Sequence, residues 1–230
     1  MRTAVALVAV LLCIATSEGY RPLRPQIVRS FPRADPQEVG EPLFLTPFIQ
    51  SGDIDGGQKA AQVDSSLLVG LNDAVESYSG FLTVDEPNNG NMFFWFFPAE
   101  ENPETAPVVI WLQGGPGGSS MFGALKLHGP IITTVDEKNN LTGVEKNPNS
   151  WGRKHNMIYI DNPVGAGRVK LGLQHSWTTK FLSGFSFSNK MPEFNDDVTN
   201  NLYEFLQQWY QLFPKYQVKH HINHINVRPR

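Results

Sequence analysis

Pro107–Ser120 reads PVVIWLQGGPGGSS. Its first part, Val108–Trp111, is apolar without alternation, and this pattern predicts a short strand that is buried on both faces of a sheet. The strand runs into a glycine-rich turn around Pro116, where side chains cover little of the backbone. A row of bare N–H groups at the end of a core strand can stabilise a developing oxyanion, which acyl-transfer enzymes require.

The same glycines also suggest a phosphate-binding loop, but their spacing excludes both common forms. A Walker-type loop has Lys and then Ser or Thr after its second glycine, whereas Gly118 and Gly123 are followed by Ala-Leu. A dinucleotide-binding fingerprint that begins at Gly115 needs a third glycine where Ser120 stands. A purely architectural turn remains open as the alternative to an oxyanion site.

The composition is that of a globular protein with one sizeable core. Of the 230 residues, 40% are hydrophobic and 18% are charged, and the formal net charge is −3. This charge provides no basic surface for nucleic acid, so we do not expect nucleic acid as a partner.

Residues 1–19 are predicted to be a secretory signal peptide. A methionine and an arginine precede the apolar run Ala4–Ala15, which is too short to span a bilayer, and small residues follow it. No later run is long enough, so we expect a secreted or lysosomal protein without a transmembrane segment. Cys13, the only cysteine, lies inside the signal peptide. Asn140 begins the only glycosylation sequon, with an unmodified surface loop as the alternative.

The strand and glycine turn together resemble the signature of the serine carboxypeptidases. That signature more usually has Asn in place of Gln113 and Cys in place of Gly118, and the form here is most similar to the vitellogenic-like branch. The resemblance covers about residues 41–217. Five further motifs match in the family's order: Ser77–Val84 (SYSGFLTV), His128–Pro130 (HGP), Asn147–Trp151 (NPNSW), Tyr159–Gly167 (YIDNPVGAG) and Gly184–Phe187 (GFSF).

The resemblance implies an α/β-hydrolase fold and an enzyme that removes C-terminal residues from peptides without a cofactor. By position, Gly115 is expected to donate a backbone N–H to the oxyanion hole. Trp111, Gln113 and Gly114 match positions that hold the substrate's C-terminal carboxylate, which makes peptide or protein C-termini the expected partners. Leu127 stands where the family generally has a Glu that helps to recognise this carboxylate at acid pH.

Two segments depart from the family pattern. Residues 168–184 interrupt a run that the family continues directly from NPVGAG into FSF, either as a lid or as an alternatively spliced or mispredicted segment. Residues 218–230 form a divergent tail, and no G-x-S-x-G occurs in the 230 residues. We therefore expect the nucleophilic Ser, the Asp and the His of the triad to be absent. The expected fold is an incomplete α/β-hydrolase without the nucleophile-bearing strand and everything after it, and the expected chain is inactive.

The tail also contains three histidines, His220, His221 and His224, whose separations a metal ion could use. No carboxylate or cysteine accompanies them, so no metal site is expected.

Residues 20–66 are rich in Pro and Arg and are predicted to form an extended arm that lacks its own core, with a short helix around Gln58–Val63.

Residues 67–217 are predicted to form the partial hydrolase domain. Its expected elements are a hairpin of Gly80–Val84 and Met92–Phe97, a short helix over Met121–Leu127, a strand over Asn156–Ile160, and a helix from Asn195 or Asp196 to Phe213 with one apolar face.

Three residues resemble catalytic groups, but their positions favour structural roles. Ser77 lacks the flanking glycines of a nucleophile turn, His128 lies in the HGP turn, and Asp161 ends a strand where the family has no triad acid. Two functions besides a truncated peptidase remain open. One is a secreted non-catalytic protein that binds peptide carboxylates or pairs with a carboxypeptidase subunit, and the other is a metal-binding tail on a processed prodomain.

Overall fold

The computed structural model describes residues 41–114, 118–165, 184–190, 192 and 195–217. The predicted signal peptide, the three tail histidines and nearly all of the predicted insertion lie outside these residues. Within them the chain has three α-helices and six strands. The helices are α1 (Thr46–Ser51), α2 (Ile54–Ala61) and α3 (Asn195–Leu212), and the strands are β1 (Tyr78–Asp85), β2 (Gly90–Phe97), β3 (Val108–Leu112), β4 (Ile131–Val135), β5 (Leu141–Lys146) and β6 (Asn156–Ile160).

Four of the strands form a mixed sheet in the order β1-β2-β6-β3. The β1–β2 hairpin and the β2–β6 pair are antiparallel, whereas β3 and β6 run parallel. The parallel register pairs Trp111 with Tyr159 and Leu112 with Ile160, so that both strands end at the same edge of the sheet. The polar residues Gln113 and Asp161 directly follow the two strands at this edge.

Both faces of the sheet are covered, which explains why the strand sequences do not alternate between apolar and polar residues. Along β6, Ile158 and Ile160 face one hydrophobic cluster, and Met157 and Tyr159 face another. The first cluster contains the buried side chains of α3, and the second contains Met121, Ala124 and Ile131. The predicted both-face burial is found at Val108–Ile110, while Trp111 and Leu112 are half-buried.

The helix α3 packs its apolar face on the first side of the sheet, as its sequence pattern predicts. Phe205 and Trp209 are fully buried, and the Phe205 ring lies 5.7 Å from that of Phe94. Asp196 and Asp197 occupy its first turn, where acidic side chains interact favourably with the helix dipole.

The prediction of an extended arm over residues 20–66 is wrong for its described part, residues 41–66. This part contains α1 and α2, and Leu45 before them is fully buried in the core. Asp53 caps α2 by accepting a hydrogen bond from the Gly56 N–H at 3.0 Å. Burial of Leu45 and Ala61 against the sheet therefore stabilises two short helices. Pro47 conceals α1 in the sequence, whereas α2 overlaps the predicted short helix around Gln58–Val63 over residues 58–61.

A second, two-stranded sheet, β4–β5, has no counterpart among the sequence predictions. A π-helix over Gly123–Leu127 precedes it and overlaps the predicted short helix. No helix among the described residues is long and apolar enough to cross a membrane.

Candidate functional site

The site is built around Gln113, the first residue after β3. Its side-chain Oε1 accepts a hydrogen bond of 3.1 Å from the indole Nε1 of Trp111. Because an indole N–H can only donate, this contact identifies which end of the amide is the oxygen. The Gln113 NH2 group is then the end of the amide that does not bond to Trp111, and no described residue accepts a hydrogen bond from it.

Ser120 fixes the backbone beneath this side chain. Its fully buried hydroxyl lies 3.0 Å from the backbone N–H of Gln113, from which it accepts a hydrogen bond, and 2.5 Å from the carbonyl oxygen of Ile160, to which it donates. This one hydroxyl therefore joins the chain after β3 to the end of β6. The backbone at Gln113 is held by the core of the sheet.

Asp161, the first residue after β6, holds three segments together. Its carboxylate accepts hydrogen bonds from the backbone N–H groups of Ser120 and Phe185, both at 2.6 Å, and from the hydroxyl of Ser119 at 3.0 Å. Burial raises the pKa of Asp161, and these hydrogen bonds act in the opposite direction. No described histidine contacts the carboxylate, so the contacts fit a structural clamp and not a triad acid.

His128 packs against the indole ring of Trp111. Its ring stacks on Trp151 at a centroid distance of 4.2 Å and meets Trp111 edge-on at 4.3 Å, while Nδ1 lies 3.1 Å from the Tyr159 hydroxyl. Only 7% of His128 is exposed, and burial lowers its pKa, which favours the neutral ring. Its Nε2 has no partner among the described residues. The stack fixes the indole that in turn fixes Gln113.

The other predicted site residues differ in how far the structure places them. Gly114 is exposed, and a Cβ atom built on it would meet nothing within 4 Å, so a ligand can approach its backbone. Gly115 lies outside the described residues, and its oxyanion role stays a prediction. Leu127, where the family generally has Glu, is 48% exposed. Asn140 lies apart from this group, in the turn between β4 and β5.

Sequence reasoning gave Asp161 a structural role, but it missed Ser120 and the contact between the two residues. Both positions carry a recognisable signal, since Ser120 follows the glycine turn and Asp161 directly follows a buried strand, but neither signal says that the two residues meet. Among the described residues, no three His, Cys, Asp or Glu side chains form a group that could hold a metal ion.

Comparisons with known proteins match this part of the chain. The family model for serine carboxypeptidase matches residues 70–169, which include Trp111, Gln113, Ser120, His128 and Asp161 but not Phe185. The probable serine carboxypeptidase CPVL of Mus musculus is 46% identical over 179 residues, which are 78% of this chain and 33% of the relative. Vitellogenic carboxypeptidase of Aedes aegypti is 42% identical over 182 residues, with the same two coverages. The chain spans about a third of the length of these curated relatives.

A solved structure agrees with the sequence relatives. The crystal structure of Kex1Δp, a prohormone-processing carboxypeptidase from Saccharomyces cerevisiae, superposes with a TM-score of 0.53 and 26% sequence identity. The match covers 69% of this chain and 34% of Kex1Δp, and it supports the α/β class with a mixed sheet. The chain belongs to the serine carboxypeptidase family, and it is similar to the vitellogenic-like branch over part of those relatives' length.

Proposed function

We propose that this chain provides the part of a serine carboxypeptidase site that binds the C-terminal carboxylate of a peptide. The observation that carries the proposal is the orientation of Gln113. Trp111 donates a hydrogen bond to the amide oxygen, and among the described residues the two N–H donors of the amide remain for an acceptor. A carboxylate accepts such hydrogen bonds and, being charged, forms stronger ones than a neutral group.

The surroundings of Gln113 support an anionic terminus as the ligand. The Gly114 backbone next to it is exposed, and Trp111 supplies a half-buried aromatic wall. Relatives of full length are expected to hydrolyse C-terminal residues from peptides. At position 127 they generally have an acidic residue that helps to bind the carboxylate, and this chain has Leu127 instead. We therefore expect carboxylate binding that does not depend on protonation of an acid at this position.

We further propose that a polypeptide of these 230 residues binds peptides without cleaving them. No G-x-S-x-G turn occurs in the sequence. The hydroxyls of Ser119 and Ser120 beside the site donate to Asp161 and to the Ile160 carbonyl, and no described histidine contacts either one to act as a base. The mixed sheet is in this proposal the first part of an α/β-hydrolase sheet, on the expected secretory or lysosomal route.

The alternative is a secreted non-catalytic protein that binds peptide carboxylates or pairs with a carboxypeptidase subunit. This alternative uses the same Gln113 donors as a peptidase would. The two functions are therefore distinguished by whether the protein hydrolyses peptides and by whether it assembles with a carboxypeptidase subunit. The binding site is common to both.

The carboxylate proposal is tested by comparing one peptide with a free C-terminus and with an amidated C-terminus. We expect the 230-residue chain to bind the free acid about tenfold or more tightly, because a hydrogen bond to a charged group contributes about 1.5–3 kcal/mol. Titration calorimetry measures both affinities. Gln113→Ala is expected to remove the preference, whereas Gln211→Ala, at an exposed glutamine on α3, is expected to keep it. A preference that survives in Gln113→Ala would contradict the assignment.

A further inference from the structure

His128 is a buried titratable residue for which the proposed carboxylate site has no direct use. Its ring stacks on Trp151 with an interplanar angle of 12° and meets the Trp111 ring at 71°, and only 7% of the residue is exposed. The Trp111 indole is the group that donates a hydrogen bond to Gln113. A displacement of the imidazole would therefore remove a contact that holds the indole bound to Gln113.

The two ring nitrogens of His128 have different surroundings. Nδ1 lies 3.1 Å from the Tyr159 hydroxyl, a group that can both donate and accept a hydrogen bond. Nε2 is buried and has no partner among the described residues. A neutral imidazole has one hydrogen on its nitrogens, and it can place this hydrogen on Nδ1, towards Tyr159. The surroundings of the ring therefore accommodate the neutral form.

A protonated His128 does not fit the same surroundings. It has a hydrogen on each nitrogen, and the hydrogen on Nε2 would be a buried donor without an acceptor among the described residues. Its positive charge would also be removed from water, and no described acidic side chain is paired with it. Burial accordingly lowers the pKa of His128. Uptake of a proton is therefore expected to displace the ring from its contacts with Trp111 and Trp151.

Charged groups in the neighbouring elements do not offset this cost. The strands β3, β4 and β6 contain no charged side chain, and their one titratable group is the Tyr159 hydroxyl, whose pKa burial raises. Arg153, in the neighbouring turn, is exposed and paired with Glu101 at 3.1 Å. Lys126 is exposed and would have the same charge as the protonated ring. The fold therefore favours the neutral imidazole.

We propose that His128 is a positioning residue for the Gln113 amide, and that it holds the Trp111 indole in place only as a neutral ring. The affinity for a peptide carboxylate then decreases when His128 takes up a proton, which is opposite to recognition through a protonated acid. The inference rests on the proposed carboxylate site for this effect on binding. The coupling between His128 and the indole is independent of that site's ligand, because Trp111 binds Gln113 without one.

The first test follows the indole N–H of Trp111 by nuclear magnetic resonance, in the full chain with isotope-labelled tryptophan and without a peptide. Trp111→Phe identifies the resonance by removing it. We expect the wild-type resonance to shift as the pH falls from about 8 to about 5, with a midpoint below the value of about 6.5 for an exposed imidazole. His128→Phe keeps an aromatic ring but cannot take up a proton, so it is expected to lose the shift.

Two controls separate His128 from other titratable groups. His155→Gln removes the other described histidine, whose Nδ1 lies 3.1 Å from the Trp151 carbonyl oxygen, and is expected to keep the shift. Asp161, which contacts Ser120, is present in His128→Phe, so a shift that persists in this variant would come from elsewhere and would overturn the proposal.

A second resonance makes the result independent of whether His128→Phe folds. The carbon-bound ring protons of His128 in the wild type are expected to titrate with the same midpoint as the Trp111 indole. Different midpoints, a common midpoint above about 6.5, or an indole resonance that does not shift would each overturn the proposal.

The second test measures the preference for a free over an amidated C-terminus at the two ends of this pH range. We expect the wild-type preference to fall about threefold or more near pH 5, where a peptide carboxylate is still ionised, and His128→Phe to keep its preference. A preference that is unchanged on acidification, or an indole that does not shift, overturns this inference and leaves the carboxylate proposal standing. An indole that shifts without any preference near pH 8 supports the positioning role and contradicts the carboxylate proposal.

Discussion

Gly123 gives Trp111 the space in which to hold Gln113. A Cβ atom at position 123 would lie 2.5 Å from Trp111 Nε1 and 2.8 Å from its Cδ1, both much closer than side chains tolerate. The indole would have to move, and its Nε1 is the atom that donates to Gln113. A glycine on the π-helix is thus required for the geometry of the amide.

Gly123→Ala is therefore expected to lower the free energy of unfolding by about 1–3 kcal/mol, the usual range for overpacking, and to weaken the preference for a free C-terminus. Gly114→Ala is the matched control, because its Cβ would meet nothing within 4 Å, and we expect a change in stability within about 0.5 kcal/mol. Urea unfolding of both variants measures the difference. Equal stabilities for the two variants would contradict the proposed contact.

Gly118 is coupled to Gln113 in a similar way. A Cβ at position 118 would lie 3.1 Å from Gln113 Cγ and 2.5 Å from the carbonyl oxygen of Gly114. The more usual family signature pairs Cys at this position with the shorter Asn at position 113. The absence of a side chain at position 118 accommodates the longer glutamine stem, which gives a physical reason for the two departures to occur together.

At the level of elements, α3 anchors one face of the sheet through aromatic contacts. Phe205 is fully buried against Phe94, and the Trp209 ring lies 5.0 Å from that of Phe96 in an edge-to-face arrangement. By contrast, Tyr203 on the same helix is 59% exposed. The stability of the fold is therefore expected to depend on one face of this helix.

Phe205→Ala is expected to lower the free energy of unfolding by about 3–5 kcal/mol, since it removes a buried ring and leaves a cavity. Tyr203→Ala, in the same helix, is expected to change it by no more than about 0.5 kcal/mol. Thermal unfolding followed by circular dichroism compares the two variants. Similar losses for both would mean that α3 does not pack on the sheet as described.

The sequence predicted the elements whose hydrophobic pattern is strong and local. The strand Asn156–Ile160 was predicted at its observed bounds, and the hairpin and α3 were predicted to within a few residues. The helix α1 was missed because Pro47 weakens its local pattern, and α2 begins four residues before the predicted helix around Gln58–Val63 because two adjacent glycines weaken its first turn. Both helices are stabilised by contacts with β1 and α3, which are distant in sequence. The strands β4 and β5 were missed although Ile131–Val135 is rich in β-branched residues.

The candidate site likewise has features that the sequence predicted and features that only the structure shows. The choice of Trp111 and Gln113 as candidate site residues followed from the family resemblance, but the orientation of the amide depends on a hydrogen bond that no sequence pattern encodes. The clamp between Asp161 and Ser120 joins residues 41 positions apart, and it could be recognised only once β3 and β6 were known to be parallel neighbours.

For the whole molecule, the proposed function assigns to the described residues only the substrate-binding part of the expected hydrolytic site. The chain covers about a third of the curated relatives, and among the described residues β3 is the last strand of the sheet and pairs only with β6. Its side chains Val108–Ile110 are buried, so its outer backbone edge is a place where a further strand can pair. We therefore expect the isolated chain to be prone to association through this edge.

The central claim is that these 230 residues bind a peptide terminus and do not cleave it. The most direct measurement is the release of the C-terminal amino acid from a blocked dipeptide by the purified chain at acid and neutral pH, with a fluorophosphonate probe added in parallel. We expect no release above the buffer blank and no labelled serine, because the hydroxyls of Ser119 and Ser120 have no described base beside them. Turnover by this polypeptide that is lost in Ser119→Ala or Ser120→Ala, or a probe adduct on either serine, would contradict the account.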